Sequence, residues 1–183
     1  YFLTPKIFDI IDNLKPSWRN ELEITDALQI LLSENNKISY HIITDYWKDT
    51  GTPEDIINAN RAILENKTSY FYGEKSDSVS LTGIVLIGKG TKILGDSQIM
   101  GPVIVGENCI LDNVCIGPNS SIGNNSQITN SNIQNSIVMS DCIINTPIKI
   151  RNSIISSNSE IEFKNDSHDE KIFLLGEGTK ILL

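Results

Sequence analysis

Aliphatic residues recur at about every sixth position through the second half of the chain. The clearest run is Ile87, Ile93, Ile99 and Val105, and the fourth residue after each of them is small or β-branched. A period of six is too long for the alternation of one strand and does not match a helical turn, but it suits short strands joined by tight corners. Three such hexads make one triangular coil of about 18 residues around a shared core. The pattern therefore predicts a parallel β-helix.

The repeat continues past residue 105, with some steps of five residues in place of six. The predicted inward positions there are Ile110, Ile116, Ile122, Ile128, Ile133, Val138, Ile143, Ile150, Ile155 and Ile161. The predicted small corner positions are Thr91, Ser97, Val103, Cys109, Val114, Ser120, Ser126, Cys142 and Ser159. We expect roughly four to five coils. The repeat resembles that of the hexapeptide-repeat family, and this resemblance implies a left-handed β-helix.

Residues 1–66 show helical spacing in place of hexads. Thr4 and Pro5 precede apolar residues at helical spacing, which predicts a first helix that ends at Pro16. The apolar positions of residues 22–32 predict a second helix, with Thr25 as its N-cap.

A strand and a third helix complete this region. Residues 37–47 are rich in β-branched and aromatic side chains and predict a strand. Thr52 and Pro53, followed by two acidic residues, predict a helix start, and the apolar face continues to about Asn66. Two or three helices and one or two strands are too few to close an α/β layer. We expect them to pack on a missing sheet, on a second polypeptide or on the β-helix.

These patterns divide the chain into four parts. Residues 1–66 form the helical region, and residues 67–78, which are polar apart from three aromatics, form a linker. The β-helix occupies residues 79–163. Residues 164–183 hold a charged loop and a last hexad-like segment that is expected to cap the stack.

Composition narrows the classes of ligand and compartment. The formal net charge is -8 and the sequence pI is about 4.7, which disfavours nucleic acid and anionic membranes as partners. No apolar run is long enough to cross a bilayer, and a basic segment followed by an apolar one is missing at the N-terminus. A cytoplasmic protein is the expectation. The chain opens on Tyr in place of Met, so we expect it to be part of a longer polypeptide.

Three cysteines lie within the hexads, at positions 109, 115 and 142. Their number is odd and they lack the paired spacing of metal ligands. Cys109 and Cys142 occupy predicted corner positions. We therefore interpret the cysteines as packing residues.

Three segments of the first 66 residues occur together in a known enzyme family. They are Tyr-Phe-Leu-Thr-Pro at residues 1–5, Pro-Ser-Trp-Arg-Asn-Glu-Leu-Glu-Ile-Thr-Asp at 16–26 and Trp-Lys-Asp-Thr-Gly-Thr-Pro-Glu-Asp at 47–55. Their order and spacing resemble the C-terminal third of sugar-1-phosphate nucleotidylyltransferases, most closely the long glucose-1-phosphate thymidylyltransferases with an appended hexapeptide β-helix. The resemblance implies an α/β fragment, the C-terminal part of a Rossmann-like nucleotidyltransferase domain, ahead of the left-handed parallel β-helix.

The resemblance also implies a reaction. A sugar 1-phosphate attacks the α-phosphorus of a nucleoside triphosphate, which releases pyrophosphate and gives a nucleotide sugar; glucose 1-phosphate and dTTP are the implied substrates. Such chemistry depends on positioning and on neutralising phosphate charge, and Mg²⁺ is the implied cofactor. In the family, the Asp of the Trp-x-Asp-Thr-Gly loop is one of two metal-binding aspartates. That residue is Asp49 here.

Each candidate site residue also has a structural interpretation. Asp49 follows a predicted strand in a Gly-containing loop before a helix, where α/β folds place ligand-binding groups, but Asp also shapes turns. Trp47 matches an aromatic that lines the sugar pocket, and core packing is its alternative. Glu23 and Asp26 match characteristic family positions, although a helix cap also explains Asp26. Tyr1 matches a segment that closes the pocket floor.

Several groups that the family needs lie in segments that this sequence does not contain. They are the glycine-rich loop with its Arg, the second metal-binding Asp and the Lys that meets the sugar phosphate. We therefore expect no nucleotidyl transfer from these 183 residues alone.

Two other functions fit the repeat. Many hexapeptide β-helices are acyltransferases with a catalytic His, and the two histidines here are His41 and His168, both outside the regular hexads. An acyltransferase of this kind would act on an amino-sugar phosphate. The β-helix can also act only as a scaffold that joins copies of the chain into a homo-oligomer. The apolar residues expected on its outer face are Leu86, Leu94, Met100, Val103, Ile104 and Leu111.

Overall fold

Two short helices form the first of two structural units. The computed structural model describes residues 1–162, and the chain divides into the units Tyr1–Trp47 and Lys48–Leu183. Helix α1 spans Lys6–Ile11 and helix α2 spans Ile24–Ser33, so both predicted helices are present. The predicted end of α1 at Pro16 is wrong, because the helix ends at Ile11. Their buried faces form a small core of Ile7, Ile10, Ala27 and Leu31.

The predicted N-cap of α2 is wrong. Thr25 lies inside the helix, and the capping position belongs to Glu23, which has an extended backbone and makes no side-chain cap hydrogen bond. The Glu23 carboxylate instead accepts hydrogen bonds from Arg19 and Ser17. The Glu23 side chain is thus engaged by the preceding loop and is not available to cap the helix.

The predicted strand at residues 37–47 is also wrong. None of the described residues pairs with this segment, and nearly every position in it is exposed. A strand needs a neighbour to satisfy its backbone N–H and C=O groups. The β-branched and aromatic pattern is present, but the described part of the chain supplies no sheet to receive it.

The second unit begins with a loop and helix α3, which spans Pro53–Glu65. The Thr52 side chain accepts a hydrogen bond from the backbone N–H of Asp55 at 3.2 Å, and Pro53 occupies the first helical position. These are the two start signals that the sequence shows, so the predicted helix start is confirmed. Ile57 and Leu64 lie on the buried face of α3.

Short strands in three parallel sheets make up the rest of this unit. Sheet A contains β1 (Tyr70–Phe71), β4 (Val85–Ile87), β7 (Val103–Val105), β10 (Ser120–Ile122), β13 (Ile137–Val138) and β16 (Ile154–Ile155). Sheet B contains β2 (Glu74–Lys75), β5 (Lys92–Leu94), β8 (Ile110–Asp112), β11 (Gln127–Thr129), β14 (Ile143–Asn145) and β17 (Glu160–Glu162). Sheet C contains β3 (Ser80–Thr82), β6 (Gln98–Met100), β9 (Cys115–Ile116), β12 (Asn132–Gln134) and β15 (Lys149–Arg151).

Every third strand is a neighbour in the same sheet, so three successive strands make one coil. All the pairings are parallel, as between β5 and β8, where Ile93 lies beside Leu111. The described residues form five coils and two strands of a sixth. The predicted parallel β-helix is confirmed as a parallel β-solenoid, and its left-handedness stays a prediction from the family resemblance.

The solenoid begins earlier than the sequence pattern indicates. Strands β1 and β2 lie within residues 67–78, the predicted linker, and pair in parallel with β4 and β5. The first coil lacks a clear hexad because Tyr70, Phe71 and Glu74 are exposed. A pattern of inward aliphatic residues cannot mark a coil whose strands have few buried positions. The predicted last hexad of residues 164–183 lies outside the described residues.

Two predicted inward positions are wrong by one residue. Ile110 and Ile143 are 38% and 42% exposed, whereas the next residues, Leu111 and Ile144, are fully buried. The step after Val105 is therefore six residues long, not five. Side chains alternate along a strand, so a shift of one residue moves a side chain from the core to the surface.

The small corner positions from Thr91 to Cys142 are confirmed. They are buried, and several bond the next coil: the Thr91 hydroxyl donates to the Gly106 carbonyl at 2.7 Å and accepts from the Cys109 N–H at 3.0 Å. Ser120 is the exception, since its buried hydroxyl has no hydrogen-bond partner in the described residues. Burial raises the pKa of the Cys109 thiol, which favours the unreactive protonated form and fits a packing role.

Asparagine dominates the corners, a feature that the sequence analysis missed. Nine corner residues, eight Asn and one Asp, have left-handed backbone conformations: Asn108, Asn113, Asn119, Asn125, Asn130, Asn135, Asp141, Asn152 and Asn158. Each directly precedes a small corner residue. Asn and Asp tolerate this conformation better than other residues with side chains. The recurring pair of Asn and a small residue was the signal available in the sequence.

Candidate functional site

The loop before α3 carries the predicted metal ligand. Asp49 is exposed, and its carboxylate is in none of the ion pairs among residues 1–162. The neighbouring Lys48 ammonium lies 2.7 Å from the Asp55 carboxylate. Hydrogen bonds from Lys48 and then from Thr52 lower the pKa of Asp55. Lys48 thus links the loop to α3, and the Asp49 side chain is exposed beside it.

The chemistry of Asp49 fits one ligand of a magnesium ion. Mg²⁺ prefers carboxylate oxygens and commonly takes only one or two of them, together with waters and substrate phosphates. A Cβ placed on Gly51 would lie 3.7 Å from the Asp49 Oδ1, an ordinary van der Waals contact, so the loop backbone passes close beside the carboxylate. No group of three His, Cys, Asp or Glu residues that could hold a metal occurs within residues 1–162. Asp49 could therefore supply one ligand of a shared site.

Trp47 and Tyr1 are strongly exposed, at 68% and 85%. Core packing, the alternative for Trp47, is not seen among the described residues. An exposed tryptophan gives a flat apolar surface on which a sugar ring can rest. The substrate roles of Trp47 and Tyr1 stay predictions.

Glu23 and Asp26 lie at the start of α2 and differ in their contacts. Glu23 accepts hydrogen bonds from Arg19 at 2.7 Å and 3.1 Å and from Ser17 at 3.0 Å, and these bonds lower its pKa. Such contacts order the loop before the helix. Asp26 is exposed in the first turn of α2, where its charge is favourable. A substrate-binding role for either residue stays a prediction.

The histidines give little support to acyl transfer. His41 is exposed in the first unit, and His168 lies outside the described residues. Residues 79–162 contain no histidine at all. An acyltransferase site on the described coils would therefore need a different base.

The outer surface of the solenoid differs from the prediction. Leu94 and Met100 are exposed as expected, at 37% and 39%. Val103 and Leu111 are fully buried and belong to the solenoid core, so their assignment to the outer face is wrong. Leu86 is also buried but lies outside that core cluster.

Helix α3 contacts the solenoid directly, at β10 of sheet A and the adjoining corners. The Asn60 amide donates to the Asn119 carbonyl at 3.1 Å, and its oxygen accepts from the Ser121 hydroxyl at 2.6 Å. Arg61 donates to the side-chain oxygen of Asn135 at 3.2 Å. Asn60 and Arg61 lie between Ile57 and Leu64 at helical spacing, so the four share one face. That spacing could have identified the contact face, and packing on the β-helix was one of the expected options.

Comparison with known proteins gives matches to the helical region and to the whole chain. Residues 1–66 match the Nucleotidyl transferase family. A glucose-1-phosphate thymidylyltransferase from Streptomyces antibioticus is 34% identical over 99% of this chain and 51% of its own length. The low-salt glycan biosynthesis nucleotidyltransferase Agl11 from Haloferax volcanii is 35% identical over 100% of the chain and 52% of its own length. The chain thus spans about half the length of these relatives.

Other similarities cover less. The bifunctional protein GlmU from Methanococcus aeolicus is 42% identical over 51% of the chain and 22% of its own length. Among solved structures, serine acetyltransferase isoform 3 from Entamoeba histolytica gives a TM-score of 0.34 at 18% identity. The match covers 67% of this chain and 47% of the acetyltransferase chain, and it is too weak to support an argument. No helix in residues 1–162 has the length and apolar character needed to span a membrane. The chain joins a segment of a nucleotidyl transferase domain, residues 1–66, to a hexapeptide-repeat β-solenoid.

Proposed function

We propose that this chain forms part of a sugar-1-phosphate nucleotidylyltransferase that converts glucose 1-phosphate and dTTP to dTDP-glucose and pyrophosphate. The observation that carries the proposal is the similarity to two nucleotidyltransferases over 99–100% of the chain, across both the helical region and the solenoid. A match of this extent is more specific than the hexad pattern, because the same fold supports several chemistries.

Asp49 is the residue to which we assign the metal role. Its carboxylate would hold Mg²⁺ together with a second aspartate outside these residues, and the ion would neutralise phosphate charge during transfer. The exposure of Asp49, which takes part in none of the ion pairs within residues 1–162, supports this assignment. Trp47 would line the sugar pocket, with Glu23, Asp26 and Tyr1 contributing to its surroundings.

The test uses the longer natural protein that contains this chain. Pyrophosphate release from dTTP and glucose 1-phosphate is measured with Mg²⁺, and Asp49→Asn is expected to lower kcat/KM by about 100-fold or more. Asp45→Asn, an exposed aspartate four residues earlier, is the matched control and should change kcat/KM less than twofold. Unchanged turnover in Asp49→Asn would refute the metal role. Pyrophosphate release by the 183-residue chain alone would contradict its expected inactivity.

The solenoid is proposed to join copies of the protein into a homo-oligomer. Leu94, Ile110 and Ile143 lie on the outer face of sheet B and are 37–42% exposed. Contact between such faces would remove these side chains from water. Sedimentation at micromolar concentration should show an oligomer, and Ile110→Lys should shift it towards monomer. A wild-type chain that sediments as a monomer would rule out this role. The enzyme is expected in the cytoplasm, where its phosphorylated substrates are made.

A further inference from the structure

A cleft at one corner of the solenoid has a lining rich in hydrogen-bond donors and free of carboxylates. Its volume is about 300 Å³, and six residues line it: Arg61, Asn119, Gln134, Asn135, Arg151 and Asn152. Arg61 comes from α3 and the others from three successive coils. The helix therefore supplies one wall of the cleft and the solenoid supplies the rest.

The backbone of the corners stacks three of the asparagines. Asn119, Asn135 and Asn152 have φ angles of 62°, 48° and 50°, and each occupies the same corner one coil after the last. Their backbones are tied by further bonds, such as the Asn135 N–H to the Pro118 carbonyl at 3.0 Å. The lining is thus held by the regular coil geometry and not by a separate loop.

Two side-chain oxygen atoms in this stack already accept hydrogen bonds from protein donors. Arg61 donates to the Asn135 Oδ1 at 3.2 Å, and the Asn135 Nδ2 donates to the Asn152 Oδ1 at 2.6 Å. Both amide oxygens are therefore occupied by protein donors. A guanidinium has five N–H donors, so Arg61 keeps most of its donors after this bond and Arg151 adds its own. The side-chain amides of Asn119 and Gln134 offer both donors and acceptors, so the excess of donors in the cleft comes from the two guanidinium groups.

The cleft is also positively charged, which favours an anionic ligand. Three ion pairs occur within residues 1–162, and neither Arg61 nor Arg151 takes part in any of them. The whole chain has 23 acidic and 15 basic residues, so two arginines lining one cleft without a carboxylate depart from the overall balance. Guanidinium groups match the oxygen atoms of phosphate in bidentate geometry.

We propose that this cleft binds a phosphoryl anion, a phosphate or diphosphate group, between α3 and the solenoid corner. Arg61 and Arg151 supply the charge, and the stacked asparagines supply neutral donors. A bound anion ties α3, the helix that follows the Asp49 loop, to the solenoid corner. The site is separate from Asp49 and does not depend on the proposed nucleotidyl transfer.

Calorimetric titration of the 183-residue chain with sodium pyrophosphate tests the proposal, at fixed ionic strength and without metal. Saturable binding is expected, and Arg61→Gln and Arg151→Gln should each weaken it by about 10-fold or more, the loss of one charged hydrogen-bonding partner. Lys89→Gln, an exposed cation in a solenoid turn, is the control and should bind as the wild type does. Inorganic phosphate, glucose 1-phosphate and dTTP as competitors show which source of the phosphoryl group is preferred.

The outcomes separate this site from the metal site. Asp49→Asn should leave pyrophosphate affinity unchanged, and equal loss in Asp49→Asn and Arg151→Gln would overturn the assignment to the cleft. No saturable binding, or equal affinity in the wild type and both arginine variants, would also overturn it. Circular dichroism and the thermal midpoint of each variant establish that the fold is retained. Arg61→Lys keeps the positive charge at this position and should bind pyrophosphate more tightly than Arg61→Gln does.

Discussion

The two units of this chain bury their apolar residues to very different extents. In the described part of the solenoid, up to residue 162, seventeen buried residues form a continuous core. In the unit Tyr1–Trp47, four buried residues form the core, while Phe2, Trp18 and Tyr40 are 87–106% exposed. A solenoid closes its core between neighbouring coils, so each added coil completes the previous one. The first unit has no such repeat, and its large side chains stay exposed because the described residues supply no neighbour to cover them.

The largest expected effect comes from truncating the solenoid core at a position that distinguishes the two possible registers. Leu111→Ala should lower the free energy of unfolding by about 2–5 kcal/mol, because it removes a fully buried side chain and leaves a cavity. Ile110→Ala, at the neighbouring position, should cost clearly less than Leu111→Ala, because Ile110 is 38% exposed and lies outside the solenoid core. Urea unfolding followed by far-ultraviolet circular dichroism measures both. The reverse order of effects would restore the register predicted from sequence.

A smaller effect is expected at a solenoid corner. Asn125 has a φ of 58°, and its amide donates to Asp141 at 3.0 Å. Asn125→Ala should cost about 1–2 kcal/mol, since alanine is strained in the left-handed region. Asn125→Gly loses the same hydrogen bond but adopts this conformation freely, and should cost less. Equal losses in the two variants would assign the effect to the hydrogen bond.

Removing a large exposed side chain from the first unit should change the free energy of unfolding even less. Tyr40 is 87% exposed, and Tyr40→Ala should change the stability of this chain by less than about 0.5 kcal/mol. Both tryptophans, Trp18 and Trp47, lie in the first unit, so tryptophan fluorescence follows its unfolding separately from the solenoid. A loss comparable with that of Leu111→Ala would show that the first unit has a larger core than the four buried residues.

The smallest effect is the pH dependence of the first unit. Hydrogen bonds from Arg19 and then Ser17 lower the pKa of Glu23, so the folded state holds its proton less tightly than the unfolded state. The resulting stabilisation is present above the unfolded pKa of about 4.3 and is lost as the pH falls through the lower folded pKa. Glu23→Gln should reduce the fluorescence-detected unfolding midpoint at pH 7 and flatten its decline in acid. Glu21→Gln is the control, and an identical acid profile in both variants would exclude this role for Glu23.

Repeats were easier to predict from sequence than isolated elements. The hexads predict the solenoid because the same pattern of inward residues recurs in each coil. An error of one residue at Ile110 therefore leaves the predicted positions in the other coils unchanged. Helix α3 was predicted because its start signals, Thr52 and Pro53, act locally. Residues 37–47 have the residue pattern of a strand, but a strand forms only beside a second strand, and the described residues supply none.

The candidate site was less predictable for the same reason. Asp49 was identified through a family resemblance, and the exposed carboxylate agrees with that role without establishing it. Arg61 and Arg151 lie 90 positions apart in the sequence and meet only through the docking of α3 on the coils. Neither residue belongs to a recognisable motif. A site assembled by tertiary contact leaves no local pattern to detect.

The varying coil length has a consequence for how such a protein can change in size. Successive residues on sheet B pair at offsets of 18, 17 and 16, from Ile93 to Leu111, Ile128 and Ile144, and all four stay buried. The corners thus absorb single-residue deletions while the strands keep their stacking. Gain or loss of a whole coil would lengthen or shorten the stack by about 4.8 Å, the spacing of paired strands. The number of coils therefore sets the length of the solenoid, and with it the distance between groups attached at its two ends.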